Sequence, residues 1–214
     1  MKNLNIAIIP ARIGSKRLKY KNIRIFKKKP LIFWTVKAAI ESKIFDKIYI
    51  STDSKLIKEK LLNFNRKIDF LDRPKKFSGP KTKTSTLIKY LIKRNYLNKE
   101  YVNFFLLQPT SPLRSKQHVL SMWKIFKKND LLDLISVSEK KNKTKINLNQ
   151  KLLYKKNGII NKNIKKKIYQ NGAVYIKNIN YFLKYPKFLC SRSSLYLMNK
   201  IDSLDVDYEK DLKH

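Results

Sequence analysis

The chain has 214 residues, of which 43% are hydrophobic and 30% are charged, and its formal charge is +35 at pH 7. This length and hydrophobic content suit one folded domain with a buried core, and they exclude a wholly disordered chain. No apolar stretch approaches the roughly 20 residues of a membrane-spanning helix, so no membrane span is expected. The single cysteine, Cys190, excludes an intramolecular disulfide and fits a reducing cytoplasm.

The positive charge does not by itself indicate a nucleic-acid partner. Only eight of the 50 basic residues are arginine, whereas proteins that read nucleic acids rely on the arginine fork. The lysines are spread over the whole chain, as expected where drift toward A/T-rich codons fills tolerant surface positions with lysine. We therefore expect no nucleic-acid partner, although binding of another polyanion stays open.

Short apolar, β-branched runs alternate with segments of helical period along most of the chain. The predicted strands are Ile6–Pro10, Lys47–Thr52, Ile68–Leu71, Asn103–Leu107, Leu132–Ser138 and Asn171–Lys177. The predicted helices are Leu31–Ser42, a helix capped by Asp53-Ser54 that runs to about Leu62, Thr84–Lys93 and Ser115–Lys128. This alternation predicts an α/β fold with a doubly wound, mostly parallel sheet, in which ligands bind at the carboxyl ends of the strands.

Two further segments depart from this rhythm. From Glu139 to about Lys167 the sequence is rich in lysine and asparagine, with one weak apolar alternation. This composition predicts an inserted hairpin or arm within one domain of residues 1–214, not a second domain. The chain then ends at Ser203–Lys213 on a predicted acidic turn and helical stub.

The loop after the first strand is a candidate phosphate site. In IIPARIGSKRLKYKN, Arg12, Ser15, Lys16 and Lys21 place cations and a hydroxyl within ten residues, next to Gly14. Backbone N–H groups at such a junction favour anions, and glycine allows a phosphate to approach closely. Neither a P-loop nor a G-x-G-x-x-G motif is present. A solvated basic loop stays open as the alternative.

Two carboxylates near the end of the chain form a candidate metal site. Asp205 and Asp207 lie at positions i and i+2 in LDVDYEKD, which puts both on one face if the backbone is extended. Paired oxygens of this kind suit Mg²⁺ when nucleotide phosphates complete its shell. The alternative is that these acids only favour a helix N-terminus.

A third candidate is the polar loop LLQPTSPLRS. Gln108, Thr110, Ser111 and Arg114 follow a predicted central strand, and two prolines stiffen the loop around them. Such a loop suits hydrogen bonding to a polyhydroxylated ligand or a phosphate. Ordinary turn chemistry before a helix capped by Ser115 stays open.

Five ordered stretches of this sequence resemble the CMP-sialic acid synthetases, also called acylneuraminate cytidylyltransferases. The stretches are IIPARIGSKRLKYKN, KPLIFWTVKAAIESKIFDKIYISTDS, FLLQPTSPLRS, NGAVYI and DSLDVDYEKDL, and together they reach from Ile6 to Leu212. The resemblance implies a Rossmann-like nucleotidyltransferase fold of the nucleotide-diphospho-sugar transferase type, with a protruding dimerisation element at residues 139–169 and hence a homodimer. It also implies CTP as the donor, a 2-keto sugar acid as the acceptor, and Mg²⁺.

The same resemblance assigns roles to individual residues. The nucleotide would contact Ala11, Arg12, Ser15, Lys16, Lys21 and Asn22. The sugar acid would face Gln108, Asn171 and Tyr175, and the metal would bind Asp205 and Asp207. Catalysis would rest on Arg12, Lys21 and Asp205. Two alternatives stay open: a 3-deoxy-octulosonate cytidylyltransferase, and a non-catalytic polyanion-binding protein of the same fold.

Overall fold

The computed structural model describes residues 4–61, 64, 67–95, 97–139, 145–146, 153–155, 158–159, 167–190 and 192–213. The strands are β1 (Asn5–Pro10), β2 (Ile25–Phe26), β3 (Lys29–Pro30), β4 (Lys47–Thr52), β5 (Ile68–Asp72), β6 (Asn103–Leu106), β7 (Asp133–Ser138), β8 (Lys145–Ile146), β9 (Leu153–Lys155), β10 (Gly158–Ile159), β11 (Ile168–Asn178) and β12 (Ser194–Leu197). The helices are α1 (Leu31–Ser42), α2 (Lys55–Leu61), α3 (Thr84–Arg94), α4 (Leu97–Glu100), α5 (Lys116–Lys128) and α6 (Ile179–Lys184). Short 3-10 helices lie at Lys21–Ile23, Lys75–Phe77 and Glu209–Lys213.

One mixed sheet forms the centre of the fold. Its strand order is β10-β9-β12-β7-β11-β6-β1-β4-β5, with β8 paired to β11 beside this path. The strands β1, β4, β5 and β6 are parallel to one another, and β7 is parallel to β12. The predicted mostly parallel sheet is confirmed; within the described residues, β11 runs antiparallel to β6 and β7, and β10 runs antiparallel to β9 at the edge. The carboxyl ends of β1, β4, β5, β6, β7 and β12 consequently meet at one edge.

Apolar side chains alternate along the central strands and fill both faces of the sheet. In β1, Ala7 and Ile9 pack into the cluster that α1 and α5 cover, whereas Ile6 and Ile8 pack into the cluster that α3 and α6 cover. All four side chains are fully buried. This double burial explains why β1 reads as an unbroken apolar run, as parallel strands covered on both faces do.

A third, smaller cluster holds the end of the chain against the loop after β1. Its buried members are Leu18, Phe26, Leu31, Leu204 and Val206. The amide of Val206 donates to the carbonyl of Thr110 at 2.7 Å. Because Leu204 and Val206 point inward from a non-helical segment, Asp205 and Asp207 lie on the other side and are only partly buried. The two aspartates thus alternate with buried residues, and the expected helical stub is the 3-10 helix at Glu209–Lys213.

β11 is longer and less regular than the sequence predicts. It begins at Ile168 rather than Asn171, and its register with β7 shifts between Gln170 and Tyr175. Gly172 lies in this irregular stretch with φ of +77°, a conformation that a residue with a Cβ rarely adopts. The prediction treated NGAV as regular strand sequence, although a glycine inside a strand often marks a bulge.

Most of the predicted arm at residues 139–169 lies outside the described residues. In its described parts, β8 pairs antiparallel with β11, and β9 pairs parallel with β12 and so extends the main sheet. A role of this segment in dimerisation stays a prediction. Across the described part of the chain, no helix combines the length and the apolar character that crossing a membrane requires.

Candidate functional site

A cleft of about 450 Å³ opens at the carboxyl edge of the sheet, beside the ends of β1, β5 and β6. Its basic lining residues are Arg12, Lys16, Arg17, Lys21 and Arg73. Its hydroxyl-bearing lining residues are Ser15, Thr82, Thr84 and Thr110. No carboxylate belongs to the lining among the residues that the structure describes. A concave surface with five cations and several hydroxyls concentrates and binds anions with many oxygens, such as phosphates.

The loop after β1 is braced by hydrogen bonds to three other segments. The side-chain amide of Asn22 donates to the carbonyl of Arg12 at 2.8 Å. The amide of Ile13 donates to Asp53 Oδ1 at 2.9 Å, and Arg12 Nη1 donates to the carbonyl of Ser78 at 3.0 Å. The Arg12 side chain is thereby anchored to the backbone of Ser78, and this contact needs no bound ligand.

Arg73 lines the cleft, although the sequence patterns did not single it out. It follows β5 directly, and its Nε and Nη2 donate to the carbonyl of Phe77 at 3.2 and 2.8 Å. Burial lowers the pKa of Arg73 to about 10, with Asp53 opposing the shift and the nearby charge of Arg12 adding to it. One signal was present in the sequence, because a scarce arginine follows a predicted parallel strand where ligand loops are expected.

Two of the cleft cations contact one carboxylate. Lys21 Nζ lies 2.8 Å from Asp207 Oδ1, and Arg17 Nη2 lies 2.7 Å from Asp207 Oδ2. Asp207 is not itself a lining residue, but it contacts two lining residues through these ion pairs. Asp205 precedes it by two residues in the sequence. Among the described residues there is no group of three or more His, Cys, Asp or Glu side chains that could hold a metal. A cation at this pair would therefore need further oxygen ligands from a substrate or from water.

The polar loop after β6 divides between the cleft and the core. Gln108 and Thr110 line the cleft, whereas Ser111 and Arg114 are buried beneath it. Arg114 Nη1 donates to the carbonyls of Gln108 and Ala173 at 3.1 and 3.0 Å. Burial lowers the pKa of Arg114 to about 9. Arg114 therefore ties this loop to β11.

Ala11, Tyr175 and Asn171 were also predicted to contact a ligand, but they do not line the cleft. The amide of Ala11 donates to the carbonyl of Ser51 at 2.8 Å, and the Ala11 side chain is buried in the core. Tyr175 is buried on the face covered by α3 and α6, where its ring lies 5.0 Å from that of Phe188. The predicted contacts of Ala11 with a nucleotide and of Tyr175 with a sugar acid stay predictions.

Asn171, the third of these residues, joins three parts of the fold. Its Oδ1 accepts from Ser136 Oγ at 2.6 Å and from the amide of Ala173 at 3.1 Å. Its Nδ2 donates to Ser203 Oγ at 3.0 Å and contacts Met198 Sδ at 3.3 Å. This side chain is fully buried, and both of its polar atoms have partners within the protein. Its predicted contact with a sugar acid also stays a prediction.

Comparison with known proteins places this chain in a known family. A family model described as Cytidylyltransferase matches residues 6–214. An N-acylneuraminate cytidylyltransferase of Streptococcus agalactiae serotype III is 35% identical over 218 residues, which cover 98% of this chain and 52% of that protein. A CMP-N,N'-diacetyllegionaminic acid synthase of Legionella pneumophila is 30% identical over 94% of this chain and 90% of its own length. The chain thus spans about half the length of the first of these relatives and nearly all of the second.

A solved structure has the same fold. It is a CMP:2-keto-3-deoxy-manno-octonic acid synthetase complexed with CTP, which aligns with a TM-score of 0.69 over 98% of this chain and 95% of its own. The identity is 13%, so this likeness establishes the fold alone. The predicted nucleotidyltransferase fold is confirmed.

Proposed function

Because the chain belongs to the cytidylyltransferase family, we propose that it transfers CMP from CTP to the anomeric hydroxyl of a nonulosonic, sialic-type acid and releases pyrophosphate. The observation that carries this proposal is the cleft with five cations and no carboxylate in its described lining. A nucleoside triphosphate has the charge to match such a lining. The names of the two relatives favour a nonulosonic acid as the acceptor.

In the proposed reaction the anomeric oxygen attacks the α-phosphorus of CTP in line. A new phosphorus–oxygen bond forms, the bond from the α-phosphorus to the bridging oxygen breaks, and pyrophosphate leaves. Arg12, Lys16 and Lys21 lower the barrier because they position the triphosphate and neutralise the charge on its oxygens. The hydroxyl proton must pass to a base, and we propose that Asp205 arranges this transfer.

We propose Asp205 and Asp207 as the protein ligands of Mg²⁺. The residues fit this ion, since two partly buried carboxylates at alternate positions of one segment can supply the hard oxygens that it prefers. When bound, Mg²⁺ would offset phosphate charge and orient the triphosphate. Asp207 also contacts two cations of the cleft.

We also propose that the protein works in the cytoplasm as a homodimer assembled through residues 139–169, without a nucleic-acid partner. The single cysteine supports a reducing compartment. Light scattering on the intact chain measures the assembly, and a mass of 25.5 kDa would contradict the dimer.

The decisive experiment measures pyrophosphate release from CTP and Mg²⁺ with a panel of acceptors. The panel contains sialic, legionaminic and pseudaminic acids and 3-deoxy-octulosonate. Release with a nonulosonic acid supports the proposal, whereas release with 3-deoxy-octulosonate alone assigns the alternative reaction. Folded protein that releases no pyrophosphate with any acceptor contradicts both, and a non-catalytic polyanion-binding protein would then be the remaining candidate.

A further inference from the structure

Arg17 is a cleft residue to which the predicted site assigns no role. Its side chain is 57% exposed, and its Nη2 lies 2.7 Å from Asp207 Oδ2. The guanidinium carbon also lies 5.5 Å from the centre of the Tyr208 ring, within the range of a cation–π contact. The charge of Asp207 raises the pKa of Arg17. Arg17 is therefore held at the mouth of the cleft by the segment that carries the two aspartates.

The carboxylate of Asp207 is shared between two cations. Oδ2 faces Arg17, while Oδ1 faces Lys21 Nζ at 2.8 Å. A divalent cation that approaches Asp207 in this arrangement meets two positive charges within contact distance, and like charges at that distance repel. A triphosphate in the cleft would offer both side chains a second anion. The pairing of Arg17 and the metal affinity of Asp207 are therefore linked.

We propose that Arg17 is a triphosphate-binding residue that exchanges partners. Before nucleotide binds, Arg17 pairs with Asp207 and Tyr208; in the nucleotide complex it pairs with phosphate oxygens, and Asp207 becomes available to a divalent cation. The proposal rests on the proposed function and goes beyond it, because it assigns a new ligand contact and a coupling between two ligands. Coupling of this kind is reciprocal, so Arg17 makes each ligand favour the other.

Two binding measurements without turnover test this exchange. The first is calorimetric titration of CTP in the presence of a chelator, and the second is titration of Mn²⁺ alone, followed by electron paramagnetic resonance. Arg17→Ala should weaken CTP binding about three- to tenfold, as loss of one partly exposed charge-assisted contact does. The same variant should tighten the binding of Mn²⁺ alone about threefold, because one repelling charge is gone.

Lys19→Ala is the matched control. Lys19 belongs to the same loop, is exposed and carries the same charge. Its loss changes only long-range electrostatics, which about 0.15 M salt largely screens, so both constants should stay within about twofold of the wild type. Arg17→Lys keeps the charge, and we expect it to restore most of the CTP affinity.

Opposite changes in the two affinities for Arg17→Ala, absent in Lys19→Ala, support the exchange. Wild-type protein that binds CTP while Arg17→Ala matches Lys19→Ala in both titrations overturns this inference alone. Weaker CTP binding without tighter Mn²⁺ binding overturns the exchange with Asp207. Wild-type protein that binds no CTP overturns the proposed function and this inference together.

Discussion

Lys21 is a largely buried cation of the cleft. Its side chain is 14% exposed and pairs with Asp207, and it begins the 3-10 helix at Lys21–Ile23. Lys21→Ala should lower kcat/KM for pyrophosphate release at least about tenfold, because a charge-assisted contact to a transition-state phosphate contributes about 1.5–3 kcal/mol. Lys19→Ala serves again as the control. Turnover of Lys21→Ala within about threefold of the wild type would contradict our placement of the phosphate site.

His118 links α5 to the segment that carries the aspartates. Its Nε2 lies 3.2 Å from Asp202 Oδ2, and its Nδ1 accepts from the amide of Ser115 at 3.2 Å. Burial lowers the pKa of His118, Asp202 opposes this shift, and Arg114 adds to it. The folded state therefore binds a proton less readily than the unfolded state, so the stabilising contribution is present above the unfolded pKa of 6.5 and is lost as the pH falls.

The variant His118→Gln tests this pH dependence. Between about pH 7.5 and about pH 5.5, the free energy of unfolding of the wild type should fall more steeply than that of the variant, by at most about 1.4 kcal/mol per pH unit for one proton. Urea unfolding at several pH values measures both slopes. Equal slopes would show that His118 does not titrate differently in the folded and unfolded states.

At the scale of single residues, the sequence indicated which cations belong to the candidate site. It did not indicate where a polar side chain such as that of Asn171 makes its contacts. Arg12, Lys16 and Lys21 could be separated from the lysine background because they follow a strand whose apolar run was plain. Asn171 could not be assigned in the same way, since an asparagine at a strand bend can face a ligand or bridge buried hydroxyls. Its four contacts come from residues as distant as Ser136 and Ser203, and no local pattern predicts contacts at that separation.

At the level of elements, the hairpin of β2 and β3 has an unusual loop. Its two loop residues, Lys27 and Lys28, have φ of +46° and +65°. Type I′ turns require positive φ at both positions and favour Asn-Gly, whereas a lysine in the left-handed region costs about 1 kcal/mol. The hairpin is anchored, because Phe26 is buried and its carbonyl accepts from Trp34 Nε1 at 2.8 Å.

Replacing the loop with Asn-Gly should therefore stabilise the protein. For Lys27→Asn with Lys28→Gly, we expect the free energy of unfolding to rise by about 0.5–1 kcal/mol, the relief of strain less the added entropy of the unfolded glycine. Lys27→Gln with Lys28→Gln removes the same charges without the turn preference and is the control. A gain of equal size in both variants would attribute the effect to charge, and the turn explanation would then be wrong.

The same hairpin indicates which elements sequence patterns can predict. The longer strands and helices were predicted to within a few residues, since each carries a clear period in residues that face the core. The hairpin was missed because IFKKKP contains none of the Gly or Asn residues that mark such a turn. The antiparallel direction of β11 was also beyond local patterns, because direction depends on which strands lie on either side.

For the whole molecule, the dominant quantity is the net charge of +35. Self-repulsion on this scale destabilises the compact state, and salt screens it. The thermal midpoint should therefore rise by a few degrees between about 20 mM and about 300 mM sodium chloride. A variant with Lys93→Glu, Lys124→Glu and Lys128→Glu, all exposed positions, lowers the charge by two per replacement, from +35 to +29.

The charge-reduced variant should show a smaller rise over the same range of salt, and scanning calorimetry measures both midpoints. A midpoint that is independent of salt in the wild type would mean that the lysines are spaced widely enough to avoid one another. Tight nucleic-acid binding with a steep salt dependence would instead contradict our expectation that the lysine excess has no such partner.

In the segment Leu204–Asp207, Leu204 and Val206 pack into the core, whereas the alternate residues are aspartates, of which Asp207 pairs with cations of the cleft. A substitution that changes the chemistry of one residue there disturbs one of these two roles. Loss of one residue from the segment would disturb both at once, because it would turn the aspartates toward Leu18 and Phe26 and the aliphatic side chains toward the cations. The spacing between Ser203 and Tyr208 should accordingly tolerate a change of length less well than a change of chemistry. During evolution we therefore expect such a segment to exchange one aliphatic residue for another while the number of its residues stays the same.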